Sequence, residues 1–177
     1  MTWQPRLARE EEVPLLEALI QLSVHTLQAA HYSLAERNAA LGPVFGVDRQ
    51  LIRDGTYLVV EHDDALVGCG GWSKRRSLFG ADAGRAEEES LDPERDAARI
   101  RAFFVHPDSA RRGIGRSLLM ACEAAIHEAG FRRIELVATL AGEPLYAAFG
   151  YAVAERYEVP LKDGLRLPVV RMTKDLS

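Results

Sequence analysis

Gly113 and Gly115 stand two positions apart in the run Ala110-Arg111-Arg112-Gly113-Ile114-Gly115-Arg116. The chemistry such a run can perform is the holding of an anion. If a helix begins there, its first turn offers N–H groups with no intrahelical acceptor and the positive end of the macrodipole. Glycines leave no Cβ to keep an anion from those amides. Between positions 99 and 116, the five arginines Arg99, Arg101, Arg111, Arg112 and Arg116 meet one acid, Asp108, in a chain of net charge −4. This local reversal of sign favours an anion site over glycines that serve only packing and arginines that are merely solvated.

The flanking residues say which elements position the run. Ile100 to Val105 is β-branched and aromatic, and a strand is expected over 98–105. Pro107 removes a donor and sets a turn, to which Asp108 and Ser109 add turn chemistry. Ile114, Leu118, Cys122, Ala125, Ile126 and Ala129 then recur on one helical face, so a helix is expected over 113–129. Gly130 stands where a left-handed cap ends it. A second strand follows at 133–139, and strand, crossover helix and strand imply parallel neighbours. A nucleotide P-loop would need Gly-Lys-Ser/Thr, and a dinucleotide fingerprint would need glycine where Leu118 stands. A nucleotide-binding protein of another fold is therefore the weakest reading.

The strand and its Arg-Arg-Gly-Ile-Gly continuation resemble the acyl-CoA-binding motif of the GCN5-related N-acetyltransferase (GNAT) superfamily, in which loop amides hold the coenzyme A pyrophosphate. Ala110 replaces the Arg or Gln at the motif's first position. The resemblance is specific over about residues 97 to 152 and looser elsewhere. It implies an α/β (α+β) acyl-CoA N-acyltransferase fold: a mixed, mostly antiparallel sheet of six or seven strands flanked by helices, with two parallel strands splayed in the middle. The pantetheine arm would enter that splay against Phe103, Phe104 and Val105. Acetyl-CoA is the co-substrate implied, with no metal. Thr139 and Phe149 join the implied coenzyme set with Arg111, Arg112, Gly113, Ile114, Gly115 and Arg116.

Leu145-Tyr146-Ala147-Ala148-Phe149-Gly150-Tyr151 looks like the second signature of the same superfamily. Acetyl transfer to an amine needs a route for the ammonium proton, a donor for the oxyanion and an acid for the departing thiolate. The resemblance gives the acid role to Tyr146, whose alternative is packing on the pantetheine. A backbone N–H of Phe104 or Val105 would serve the oxyanion. The strand acid common in the superfamily has no counterpart between positions 97 and 105. Asp96, His106 and Glu135 lie nearby, and His106, a residue type able to exchange a proton near neutral pH, is the base candidate beside solvent. The missing acid leaves a second reading, a non-catalytic acyl-CoA-binding module.

Upstream, Trp3 to Ala8 is expected to be an edge strand. Helices are expected after Glu10-Glu11-Glu12, from Ser33 (with Glu36 completing a capping box) to Leu41, and over Asp48 to Arg53. Their loops carry His25, His31, Tyr32 and Asn38, candidate walls of the acceptor site. Thr56 to Glu61 and Ala65 to Ser73 form a hairpin around His62-Asp63-Asp64. Gly68, Gly70 and Gly71 within it either open room for a substrate or mark a bulge or close approach. Positions 74–96 form a long loop with an acidic run (Glu87, Glu88, Glu89, Asp92, Glu94 and Asp96) that either attracts an amine or is simply solvated. A short helix from Glu143 to Gly150 and strands Tyr151 to Leu161 and Leu165 to Thr173 complete the chain.

At 177 residues the sequence reads as one N-acetyltransferase domain, 1–177, and its net charge of −4 argues against nucleic-acid binding. No stretch has the length of a membrane span, and no basic then apolar leader opens it. Cys69 and Cys122 fall in apolar segments as free thiols, which points to a reducing, cytoplasmic setting. The expected partner is a small-molecule or peptide amine; the sequence does not set the oligomeric state, and the superfamily's habit of pairing through sheet edges leaves a homodimer open.

Overall fold

The computed structural model describes residues 2–76 and 90–176. Its elements are β1 (Arg6–Leu7), α1 (Val13–Leu27), α2 (Leu34–Ala40), α3 (Arg49–Asp54), β2 (Tyr57–His62), β3 (Ala65–Ser73), β4 (Ala98–Val105), α4 (Ile114–Glu128), β5 (Arg133–Ala138), α5 (Glu143–Ala148), β6 (Ala152–Pro160) and β7 (Arg166–Asp175). The seven strands make one mixed sheet in the order β1-β2-β3-β4-β5-β7-β6. Among them β4 and β5 run parallel, and the other pairs are antiparallel. The expected fold is therefore the observed one. Gly80, Gly84, Glu87, Glu88 and Glu89 of the acidic loop lie outside the described residues.

Local chemistry accounts for most boundaries. The Ser33 hydroxyl accepts from Glu36 N at 3.1 Å while the Glu36 carboxylate accepts from Ser33 N at 2.8 Å, the expected capping box. Gly113 (φ +89°) starts α4 and Gly130 (φ +95°) follows its end. On one face of the sheet, Leu16, Ile20, Leu51, Val59, Phe104 and Val169 pack beneath α1 and α3. On the other, Leu119, Cys122, Ile126, Leu136, Tyr146 and Met172 pack beneath α4 and α5. Cys69 and Cys122 are free and buried, and burial pushes the Cys69 thiol up to about 12.

The feature that matters for function is where β4 leaves β5. The two strands pair only at Ala98 with Ile134 and Arg99 with Glu135, whereas β5 keeps pairing with β7 as far as Ala138. The departure has a local cause. Between the pairs Cys69–Phe104 and Gly71–Arg101, Ala102 and Phe103 face the single residue Gly70. This is a β-bulge, and bulges bend the strand that carries them. Ala102 takes φ +57°, a left-handed conformation that costs an L-residue about 1–2 kcal/mol.

Just before the bulge, β4 is tied to α3 by a buried ion pair. Arg101 Nη1 donates to Asp48 Oδ2 at 3.4 Å, and the residues are 3% and 0% exposed. The other carboxylate oxygen, Asp48 Oδ1, caps α3 by accepting from Leu51 N at 3.4 Å. Asp48→Asn keeps a capping oxygen but takes the negative charge away from its contact with the Arg101 guanidinium, which also donates to the Arg75 carbonyl at 3.2 Å. Losing the charge from one such hydrogen-bonded contact costs about 1.5–3 kcal/mol, so thermal melting should fall by about 5 °C or more. A shift under about 2 °C would show that β4 is held elsewhere.

Candidate active site

The end of β4 leads into the arginine-glycine loop through a capped turn. His106 N donates to Val67 O at 2.8 Å, continuing the β3 ladder, and His106 Nδ1 accepts from Asp108 N at 3.1 Å. Arg111 then takes φ +61° and Gly113 φ +89°, and α4 begins. Among the described residues, the amides of Arg111 to Arg116 donate to no backbone carbonyl outside the helix. They surround the N-terminus of a 15-residue helix, with Arg111, Arg112 and Arg116 exposed around them. Free amides, the positive helix end and guanidinium groups together form a cradle for phosphate oxygens.

Glycines let other elements close around this loop. A Cβ at Gly115 would stand 3.0 Å from Leu145 Cδ2, so α5 approaches the first turn of α4 directly. A Cβ at Gly68 would collide with Ile114 Cγ2, one at Gly70 with the Phe103 ring, and one at Gly71 with the Thr56 carbonyl. The three glycines of β3 thus open no room for a substrate. Their space is taken by α4, by the bulge residue and by β2. Gly68→Ala should lift the start of α4 off the sheet and cost about 1–3 kcal/mol. Unchanged melting in that variant would contradict the packing.

The splay between β4 and β5 opens beside this cradle. Phe103 lines it half-buried, with its ring centroid 6.2 Å from that of Tyr146 on α5. Tyr146 is 7% exposed and packs edge-on against Tyr151 at 5.8 Å. Burial pushes the Tyr146 phenol well above its ordinary value, with the nearby Cys122 thiol adding to the effect. The Tyr151 hydroxyl donates to Glu123 at 2.8 Å, and Lys174 Nζ donates to the same carboxylate at 2.9 Å, which fixes Tyr151 behind Tyr146. Arg116 lies over the Phe149 ring at 5.8 Å. The Thr139 hydroxyl accepts from Gly142 N at 3.0 Å, so it starts the turn into α5.

Strand alternation sorts the two amides proposed for the oxyanion. His106 N–H faces β3, so the N–H of Phe104, two residues back, faces β3 as well, and that of Val105 faces the splay.

The residues considered as bases are engaged. Glu135 meets Arg99 at 3.3 Å and Arg171 at 3.8 Å. Asp96 accepts from Asp92 N at 2.8 Å. The His106 Nδ1 lone pair holds the turn at Asp108. Of the acceptor-wall candidates, His25 Nδ1 lies 3.2 Å from the Arg37 guanidinium, which can only donate. The Tyr32 hydroxyl donates to Pro168 O at 2.6 Å and accepts from Leu140 N at 3.1 Å, and burial pushes its phenol up to about 12. His31 and Asn38 are exposed.

One contributor escaped sequence reasoning. Trp3 Nε1 donates to the carbonyl of Arg112 at 2.7 Å, across a separation of 109 residues. A buried indole must find an acceptor, but sequence does not say which.

Residues 17–151 match the family model described as the acetyltransferase (GNAT) family. Solved structures are similar over nearly the whole chain. A GCN5-related N-acetyltransferase (aminotransferase, class II) from Rhodopseudomonas palustris is 22% identical with a TM-score of 0.73, covering 99% of this chain and 97% of its own. The PaiA N-acetyltransferase of Thermoplasma acidophilum, solved in complex with coenzyme A, is 16% identical with a TM-score of 0.65, covering 99% of each chain. A ribosomal-protein-alanine N-acetyltransferase from Brucella melitensis is 21% identical with a TM-score of 0.65, covering 98% of this chain and 99% of its own. No curated protein sequence matched.

Proposed function

The chain belongs to the acetyltransferase (GNAT) family and is an acyltransferase, and from that premise we propose that it moves an acetyl group from acetyl-CoA to a primary amine by direct attack through a tetrahedral intermediate. The observation that carries this reading is the row of unpaired amides at the start of α4, set beside the splay that Tyr146 lines. The coenzyme A in the Thermoplasma relative supports it.

In this reading the amides from Arg111 to Arg116 hold the pyrophosphate, with Arg111 and Arg116 supplying charge. The pantetheine arm lies along Phe103 to Val105, bounded by Thr139 and Phe149. The amine attacks the thioester carbonyl, and the Val105 amide receives the oxyanion. Collapse of the intermediate expels the thiolate. Tyr146, kept protonated by burial, hydrogen-bonds that sulfur and supplies its proton. The Asp108 contact occupies the His106 lone pair, so solvent is the route for the ammonium proton. The acceptor is a small molecule or a peptide; the ribosomal-protein relative from Brucella supports the peptide class. Residues 1–177 act as one domain in the cytoplasm, singly or as a homodimer.

The test is thiol release from acetyl-CoA with a panel of small amines and peptide N-termini. With solvent as the proton route, the rate should climb with pH toward the acceptor's own pKa. A plateau already reached near neutral pH, and lost in His106→Gln, would return the base role to His106. Binding of acetyl-CoA without release to any amine would mark a non-catalytic module instead.

A further inference from the structure

Trp3 does more than fill space at the sheet edge. Its indole is 9% exposed and packs with Val60, Val67, Ile114 and Leu118. Its ring meets His62 edge-on at 5.4 Å, and the Arg112 guanidinium lies 5.7 Å from the ring centre. The Ser117 hydroxyl donates to the Trp3 carbonyl at 3.2 Å, so α4 holds the backbone of the residue whose side chain holds the loop.

The consequence follows from peptide geometry. A trans peptide is planar, and its C=O and N–H point in opposite directions. The structure contains no cis peptide among its described residues. When the indole N–H takes the Arg112 carbonyl at 2.7 Å, the Gly113 N–H of the same peptide must point away from Trp3. That amide belongs to the unpaired row at the start of α4. Gly113, at φ +89°, is the residue type for which a peptide flip is least hindered, so the loop needs an external restraint to keep the amide outward.

We propose that Trp3 is a positioning residue for coenzyme A, acting through the Arg112 carbonyl to keep the Gly113 amide aimed at the pyrophosphate. The proposal rests on the acetyl-CoA reading given above. It adds the segment that carries Trp3, ahead of β1, to the coenzyme site, without requiring Trp3 to touch the ligand.

Trp3→Phe keeps an aromatic ring and removes the N–H. Titration with acetyl-CoA should show affinity about tenfold weaker, the size of a lost hydrogen bond, while the ligand-free melting temperature stays within a few degrees. A spectroscopic readout separates positioning from bulk packing. The chain has 2 tryptophans, so in Trp72→Phe the indole of Trp3 emits alone, and its emission should shift on adding acetyl-CoA. Should Trp3→Phe fold poorly, Ser117→Ala loosens the same clamp and should weaken binding about threefold. Affinity within twofold of wild type in the folded variant, or emission that ignores the ligand, would overturn the proposal. A wild-type protein that does not bind acetyl-CoA would remove the reading beneath it, a result distinct from normal wild-type binding with an unaffected variant.

Discussion

Gly113→Glu should weaken acetyl-CoA binding at least a hundredfold, by two separable effects. Gly113 sits at φ +89°, so any L side chain there costs about 1–2 kcal/mol in backbone strain. Space is not the obstacle, since a Cβ would meet nothing closer than Trp3 at 3.9 Å. The larger effect is charge. A carboxylate about 4 Å from a phosphate is repelled by about 4 kcal/mol at the dielectric of a protein surface. Gly113→Lys carries the same strain with the opposite charge and should lose no more than about thirtyfold, the upper end of the 1–2 kcal/mol that strain alone is worth. Calorimetry on the pair decides the matter. Equal losses in both would mean that the loop had been broken, not that an anion had been repelled.

Tyr146→Phe should lower turnover by about a hundredfold or more, the ordinary range for a lost general acid, with acetyl-CoA affinity within about threefold. The ring contacts to Phe103 and Tyr151, at 6.2 and 5.8 Å, survive the change, so binding and folding should too. The pH dependence adds a second check. Burial raises the Tyr146 pKa, so the acid form persists above the ordinary phenol value of about 10. Activity should therefore show no falling limb below about pH 10 from loss of this proton. An unchanged rate in Tyr146→Phe would leave the residue as packing alone.

The parts of this molecule that sequence reveals are the local ones. Gly113, Gly130 and the periodic run between them mark α4 because cap and period act within a few residues. Ser33 and Glu36 announce α2 for the same reason. The arginine-glycine loop stands out because its charge is reversed against an acidic chain. Contacts between distant segments are a different matter. Nothing in Ala102 signals a left-handed bulge residue, yet that conformation is what parts β4 from β5. Gly68, Gly70 and Gly71 read equally well as open space or close approach, and only the neighbouring Ile114, Phe103 and Thr56 decide it. Glu135 resembles a free base until Arg99 and Arg171 are seen beside it. The Arg112 carbonyl finds its donor 109 residues away, at a separation where no spacing rule operates.

The central claim is that the start of α4 holds coenzyme A. Calorimetric titration of the wild-type protein with acetyl-CoA, beside ATP and NAD, tests it most directly. The expected result is one micromolar site for acetyl-CoA and no comparable heat from either nucleotide. Absence of acetyl-CoA binding, or binding of ATP or NAD equally well, would contradict it.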